Sequence, residues 1–164
     1  MKAQPEIAKL AEAQGQAGVE TVAALLKRKG PGVWSLPPDA TVYEAIAMMA
    51  EKRIGALVVL SDGELIGIVS ERDYARKVIL QGRASRETPV REIMSSPVFT
   101  ATPEDTVDHC LRIMTANRIR HLPIIEAGRV SGMVSIGDLV ASTLSMQAHT
   151  IDQLETYIAN QYPK

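Results

Sequence analysis

Aromatic side chains are scarce in this chain: one Trp, one Phe and four Tyr among 164 residues, or 4%. A core has to be packed from Val, Ile, Leu, Met and Ala, and the 46% hydrophobic content is enough for one. Cysteine occurs once, as Cys110, which excludes an internal disulfide. An excess of one charge is lacking too. Lys and Arg number 18 against 19 Asp and Glu, a net charge of −1. That balance argues against nucleic-acid binding through a broadly basic surface and leaves room only for a local cluster. No apolar run approaches the roughly 20 residues of a membrane helix. The N-terminus carries charge but no apolar stretch of a secretion signal. Composition therefore predicts a soluble, cytoplasmic protein without a membrane segment, sized for one compact domain or two small intertwined halves.

What the chain does contain is one segment twice. Residues 33–79 and 98–144 align without a gap at a constant offset of 65. Identical pairs include Val33/Val98, Pro38/Pro103, Thr41/Thr106, Met49/Met114, Arg53/Arg118, Leu57/Leu122, Gly67/Gly132, Ser70/Ser135 and Asp73/Asp138. A fixed-period repeat is read before anything else, because it sets the architecture.

Within each copy the apolar spacing predicts the elements. Val42, Ala45, Ile46 and Met49 recur at helical intervals, as do Val107, Cys110, Leu111 and Met114, with Thr41 and Thr106 placed to cap the starts. Residues 57–60 and 65–69 read as two buried strands joined by an Asp62-Gly63 turn, and 122–125 and 130–134 as their counterparts around Gly128. Helices are expected to follow over 71–81 and 136–146. Each copy is thus an extended segment, helix, strand, strand and helix. The fold class is α/β of the α+β type: two βαββα repeats packed face to face about a pseudo-twofold axis, because so small a sheet cannot bury both faces alone. Short helices at 22–26 and 90–94 lead into the copies. The organisation is a tail or helix over 1–21, a first repeat with its lead-in over 22–82, a polar linker over 83–89, a second repeat over 90–146, and a C-terminal helix over 147–164. Residues 1–18 read as a frayed helix or disordered. Ile151, Leu154, Tyr157 and Ile158 form an apolar stripe that packs on its own domain or, alternatively, on a dimer partner.

The repeat also duplicates polar chemistry. Ser70-x-x-Asp73 and Ser135-x-x-Asp138 each follow a glycine-containing strand and open a helix. One reading is a capping box, in which the pair only starts the helix. The other is a ligand site: a helix start with free N–H groups suits phosphate, Ser can add a donor, and Asp can accept both hydroxyls of a ribose. Duplication favours the second. Arg120 and His121 stand just before a strand, where Arg can bind phosphate bidentately and His can donate to it. The first copy has Gly55-Ala56 there, and Arg72 inside its Ser-x-x-Asp loop serves as compensation, so the two sites are expected to differ. Trp34 and Phe99 are matched aromatics; core packing is their expected role, with flanking of a base the alternative.

These residues resemble a tandem pair of cystathionine-β-synthase (CBS) domains, a Bateman module. The resemblance rests on the tandem repeat, the glycine–apolar–apolar–Ser-x-x-Asp motifs at 67–73 and 132–138, the run Arg120-His121-Leu122-Pro123-Ile124, and the lead-in Val90-Arg-Glu-Ile-Met94. It covers residues 22–146 and implies two clefts between the repeats that bind adenosine compounds: AMP, ADP, ATP, S-adenosylmethionine or NAD. By position, Ser70 and Ser135 meet phosphate or ribose, Asp73 and Asp138 the ribose hydroxyls, and Arg120 and His121 phosphate. Val33-Trp34 and Val98-Phe99-Thr100 line the adenine; Pro123 and Met133 fall in the same motifs. The departure is at Gly55-Ala56, which lacks the Arg-His pair. In most relatives such a module regulates a fused protein. This chain is similar to small stand-alone bacterial members that form flat homodimers and signal to a regulated partner.

Three function classes remain in view. The leading one is a non-catalytic sensor. An enzyme is the first rival, but Cys110 takes the place of Ala45 on an apolar stripe and reads as core, and His109, His121 and His149 lie on separate elements and show no metal-ligand cluster. A ligand-free interaction dimer whose Ser-x-x-Asp pairs only cap helices is the second.

Overall fold

The computed structural model describes residues 19–30 and 32–161; the tail read over 1–18 and residues 162–164 lie outside it. Helix α1 (Val22–Lys29) precedes the first repeat, which runs β1 (Ser35–Leu36), α2 (Val42–Lys52), β2 (Ala56–Ser61), β3 (Glu64–Ser70) and α3 (Glu71–Tyr74). Helix α3 continues as a π-helical stretch over Ala75–Ile79. A 3₁₀ turn at Val90–Glu92 leads to α4 (Val107–Asn117), β4 (His121–Glu126), β5 (Arg129–Ser135) and α5 (Ile136–Gln161). The βαββα order is that read from the repeat. The expected stop near residue 146 is absent, since α5 continues to Gln161 without a break.

Local chemistry explains the elements. Thr41 and Thr106 cap α2 and α4, their hydroxyls accepting from the N–H groups of Glu44 and His109. Asp62-Gly63 and Ala127-Gly128 both have positive φ, the geometry of the two-residue turn that suits the right-handed twist of a hairpin. The duplication extends to register. Val59 pairs with Gly67 and Ile124 with Gly132, and both hairpins shift register at the next residue. Strand β1 runs parallel to β2, with Leu36 opposite Val59; the second copy retains only the matching bridge from Ala101 to Ile124.

Three apolar clusters hold the molecule together, and strand alternation assigns residues among them. Leu57, Val59 and Val69 face the helices of their own repeat, as do Leu122, Ile124 and Val134 in the second. Ala56, Val58 and Met133 point the other way and, with Val33, Ile68 and Val130, form the layer between the two sheets. Face-to-face packing thus buries the second face of each hairpin.

The lead-ins cross over. Val22 and Leu25 of α1 are buried in the core of the second repeat, while Val90 and Ile93 are buried in the core of the first. Backbone bonds match: Val22 N–H donates to Asp105 O at 2.8 Å and Val90 N–H to Ala40 O at 2.8 Å. The two repeated strand glycines make room for this crossing. A Cβ at Gly67 would stand 2.9 Å from Met94 Cγ, and one at Gly132 would stand 2.7 Å from Leu26 Cδ1. Each lead-in precedes one copy in sequence and packs on the other.

Candidate functional site

Both Ser-x-x-Asp pairs fold as capping boxes. Ser70 N–H and Oγ donate to Asp73 Oδ2 at 3.0 and 2.7 Å, and Asp73 N–H donates back to Ser70 Oγ at 3.3 Å. In the second copy the distances are 2.7, 2.8 and 3.2 Å. The boxes fix each carboxylate at a strand end, and each also holds a lysine. Lys77 reaches Asp73 Oδ1 at 2.9 Å, and Lys29 of α1 reaches Asp138 Oδ2 at 2.6 Å and Met133 O at 2.9 Å. Burial opposes ionisation of Asp138, but hydrogen bonds from Lys29 and Ser135 outweigh it and hold its pKa below the ordinary carboxylate value.

Two cavities open between the repeats, one at each pair. The larger, of about 480 Å³, is lined by Ser70, Arg72, Asp73, Arg76, Lys77, Val98, Phe99, Arg118, Ile119, Arg120 and His121, among others. The smaller, of about 260 Å³, is lined by Lys29, Trp34, Arg53, Ile54, Gly55, Ala56, His121, Met133, Ser135 and Asp138, with Gly32. The offset of 65 maps one onto the other: Asp73 onto Asp138, Ser70 onto Ser135, Ile68 onto Met133. From the facing repeat, Phe99 maps onto Trp34 and Arg118 onto Arg53. Each cavity therefore takes its Ser-x-x-Asp from one repeat and its aromatic and arginine from the other.

That construction corrects the expected division of charge. The sequence alone assigns Arg120 and His121 to one site and Arg72 to the other. Instead the pseudo-twofold brings all three to the cleft of Asp73. Five cations, Arg72, Arg76, Lys77, Arg118 and Arg120, face two carboxylates there, Glu71 and Asp73. At the matching positions of the smaller cleft stand Gly137, Ala141, Ser142, Arg53 and Gly55. The small residue at Gly55 has a local cause: a Cβ there would stand 3.2 Å from both Cε1 and Nε2 of His121. The imidazole of one copy occupies space that a side chain of the other would need.

Other readings move as well. Trp34 and Phe99 are 41% and 50% exposed and face the cavities, so core packing is not their role. Trp34 also carries Lys52 Nζ 4.4 Å above its ring. Val33 packs in the layer between sheets, Pro123 is buried in β4, and Thr100 is exposed; none of the three lines a cavity. Cys110 is fully buried, and burial, with the Asp105 charge adding to it, pushes its thiol up to about 11, which fits a core residue and not a nucleophile. Among the described residues no group of His, Cys, Asp and Glu could hold a metal ion, and no helix is long and apolar enough to cross a membrane.

Lys29, Arg76, Lys77, Arg118 and Arg53 are the cationic lining residues that sequence reasoning missed. For two of them a signal existed. Arg53 and Arg118 are identical in the repeat and end α2 and α4 at φ 55° and 54°, in the left-handed region. Glycine holds that turn at lower cost, so an arginine in both copies points to a use for the guanidinium.

Comparison with known proteins is consistent with this geometry. The CBS domain family matches residues 19–79 and 90–144. The chain is 42% identical over 151 residues to the CBS domain-containing protein CBSX3, mitochondrial, of Arabidopsis thaliana, covering 87% of this chain and 73% of that protein. Its fold is similar to that of a protein with CBS domains from Burkholderia ambifaria (TM-score 0.74, 46% identity, 77% of this chain and 95% of that one). A CBS domain protein from Pyrobaculum aerophilum, solved as a complex with AMP, matches at TM-score 0.68 and 30% identity over 79% of this chain and 99% of that one.

Proposed function

The chain belongs to the CBS domain family, and from that premise we propose that it is a non-catalytic sensor that binds an adenosine nucleotide in the Asp73 cleft and signals its occupancy to a partner. The observation that carries the reading is the gathering of Arg72, Arg76, Lys77, Arg118, Arg120 and His121 around one Ser-x-x-Asp with an exposed aromatic, Phe99, at its edge. At about 480 Å³ this cavity falls within the roughly 300–1,000 Å³ of small-molecule sites, whereas the other, at about 260 Å³, falls below it. Asp73 takes the ribose hydroxyls in exchange for Lys77, Val98 and Phe99 flank the adenine, and the arginines take the phosphates. The AMP complex of the Pyrobaculum relative supports the ligand class.

The cation excess favours the more highly charged members of that class. A hydrogen bond to a charged group contributes about 1.5–3 kcal/mol, so affinity rises about tenfold or more with each phosphate that gains an arginine. Isothermal titration with adenosine, AMP, ADP, ATP and NAD tests this. A rising ladder from adenosine to ATP, with ATP recovered intact, supports a sensor. Turnover of ATP overturns the non-catalytic part, and no heat with any of the five leaves the pairs as helix caps in an interaction protein. Self-association belongs to the same proposal: Ile79 and Leu144, at equivalent positions, are 56% and 60% exposed, beside Leu80 and Val140. A homodimer covers such a face, and sedimentation equilibrium measures it.

A further inference from the structure

Among the described residues, His121 is the only side chain that lines both cavities. It stands at the start of β4, opposite Ser135 on β5, with the missing side chain of Gly55 as the space its ring fills. Charged groups reach these cavities from every element around it. Lys29 comes from α1, Arg53 from the end of α2, Glu71 and Arg72 from α3, Arg120 from the bend just before β4 and Asp138 from α5; Asp73, Arg76, Lys77 and Arg118 also line the larger cavity. Burial holds the imidazole's pKa below its ordinary value; Lys29 pushes it the same way, Asp138 opposes, and Arg120 and Arg72 add to the lowering. The free protein therefore carries His121 neutral at pH 7.

We propose that His121 couples the two clefts: an anion bound in the larger one draws a proton from solvent onto the imidazole, and the new charge stands on the wall of the smaller one. This rests on the nucleotide reading above and adds to it the regulation of the site. A polyanion among Arg72, Arg120 and Arg118 offsets the part of the lowering that Arg120 and Arg72 contribute and offers the ring an acceptor. One proton moves from solvent to a ring nitrogen and no covalent bond changes. In the smaller cleft, Lys29 and Arg53 against Asp138 are then joined by a third cation, so that cleft becomes more receptive to an anion and less receptive to a cationic ligand. Linkage works both ways: Asp138, which lines the smaller cavity and not the larger, acts through His121 as a positioning residue for a ligand it does not touch.

The sign follows from the two protonation states. Between the free and the bound pKa of His121, binding consumes up to one proton, and affinity rises as pH falls by up to about tenfold per pH unit; outside that window this contribution is flat. The test is calorimetric titration of the full chain with ATP at pH 6, 7 and 8, in buffers of differing ionisation enthalpy, for wild type, His121→Asn and His121→Gln. Neither amide titrates, so the variants report the protonation of ATP itself, and wild type exceeds them in proton uptake. Equal uptake overturns the coupling. Should both variants fail to fold, imidazole ¹H–¹⁵N spectra of the wild type decide: the His121 midpoint moves up when ATP is added, and an unmoved midpoint overturns the coupling. Asp138→Asn moves the ATP-bound midpoint down; no movement removes the route to the smaller cleft and contradicts the proposal. ATP binding without uptake at His121 defeats this inference alone, whereas no binding at any pH defeats the nucleotide reading and this inference with it.

Discussion

Replacing Arg118 by glycine separates what the fold wants at that position from what the site wants. Arg118 closes α4 at φ 54°, and its N–H bonds to Met114 O and Thr115 O. Its carbonyl accepts from Arg72 Nη1 at 2.9 Å. All three are backbone groups of residue 118 and survive the change. The side chain is exposed, so little packing is lost. A non-glycine residue in the left-handed region costs roughly 1–2 kcal/mol, and the greater freedom of glycine in the unfolded chain takes back roughly 0.5–1 kcal/mol. Arg118→Gly is therefore expected to stabilise the protein by about 0.5–1 kcal/mol, a rise of about 1–4 °C in Tm at this length. The lost guanidinium, by contrast, removes about 1.5–3 kcal/mol from binding, a weakening of ATP affinity by about ten- to 150-fold. Arg118→Ala is the control: it loses the same affinity but keeps the strain, so it gains no stability. Urea unfolding and calorimetric titration read the two quantities on the same preparations. Equal stability of the Gly and Ala variants refutes the strain argument, and undiminished ATP binding by either refutes the assignment of Arg118 to the site.

Three further expectations follow from packing and charge. Gly67→Ala drives a Cβ into Met94, whose own Cβ would lie 3.2 Å away, and is expected to cost about 1–3 kcal/mol; Met94→Ala should cost less in that background than in the wild type, and strict additivity in urea unfolding counts against the crossed lead-in. Cys110, buried with its thiol pushed up to about 11, should be unreactive toward an aromatic disulfide reagent at pH 8 until the chain is unfolded; labelling of the native protein at the rate of a free thiol contradicts its place in the core. Asp138 has a folded pKa below its unfolded value, so its ion pair stabilises above about pH 4 and the contribution is lost as pH falls through the folded pKa. Asp138→Asn should lower stability at pH 7 and flatten the acid limb of the stability profile; an unchanged acid limb means that Lys29 and Ser135 do not hold the carboxylate.

The βαββα order, both hairpin turns and both helix caps could be read from the chain, because alternation, helical spacing and Asp-Gly or Thr signals act over a few residues. The strands extend the sequence reading by one residue at each end. What could not be read is which core an amphipathic piece enters. The stripe on α1 says that Val22 and Leu25 are buried, yet nothing local says that they are buried in the second repeat. The assignment of charge failed for the same reason. Sequence position assigns Arg120 and Arg72 to different copies, whereas a cleft is assembled across copies. Residue type alone favours a core role for Trp34 and Phe99, with flanking of a base the alternative; their positions put them at the cavity edges. Of the C-terminal stripe, Ile151 and Leu154 are 57% and 43% exposed, so they do not pack on their own domain; Tyr157 and Ile158 fall outside the residues whose side chains are described.

The central claim is that the phosphate-binding charge of both repeats has been collected into the cleft of Asp73. Counting ATP per chain in three proteins at pH 8 tests it most directly: wild type, Asp73→Ala and Asp138→Ala, each titrated calorimetrically after any co-purified nucleotide is stripped. The account predicts one tight site in the wild type, one in Asp138→Ala and none in Asp73→Ala. A tight site that survives Asp73→Ala and disappears with Asp138→Ala contradicts it.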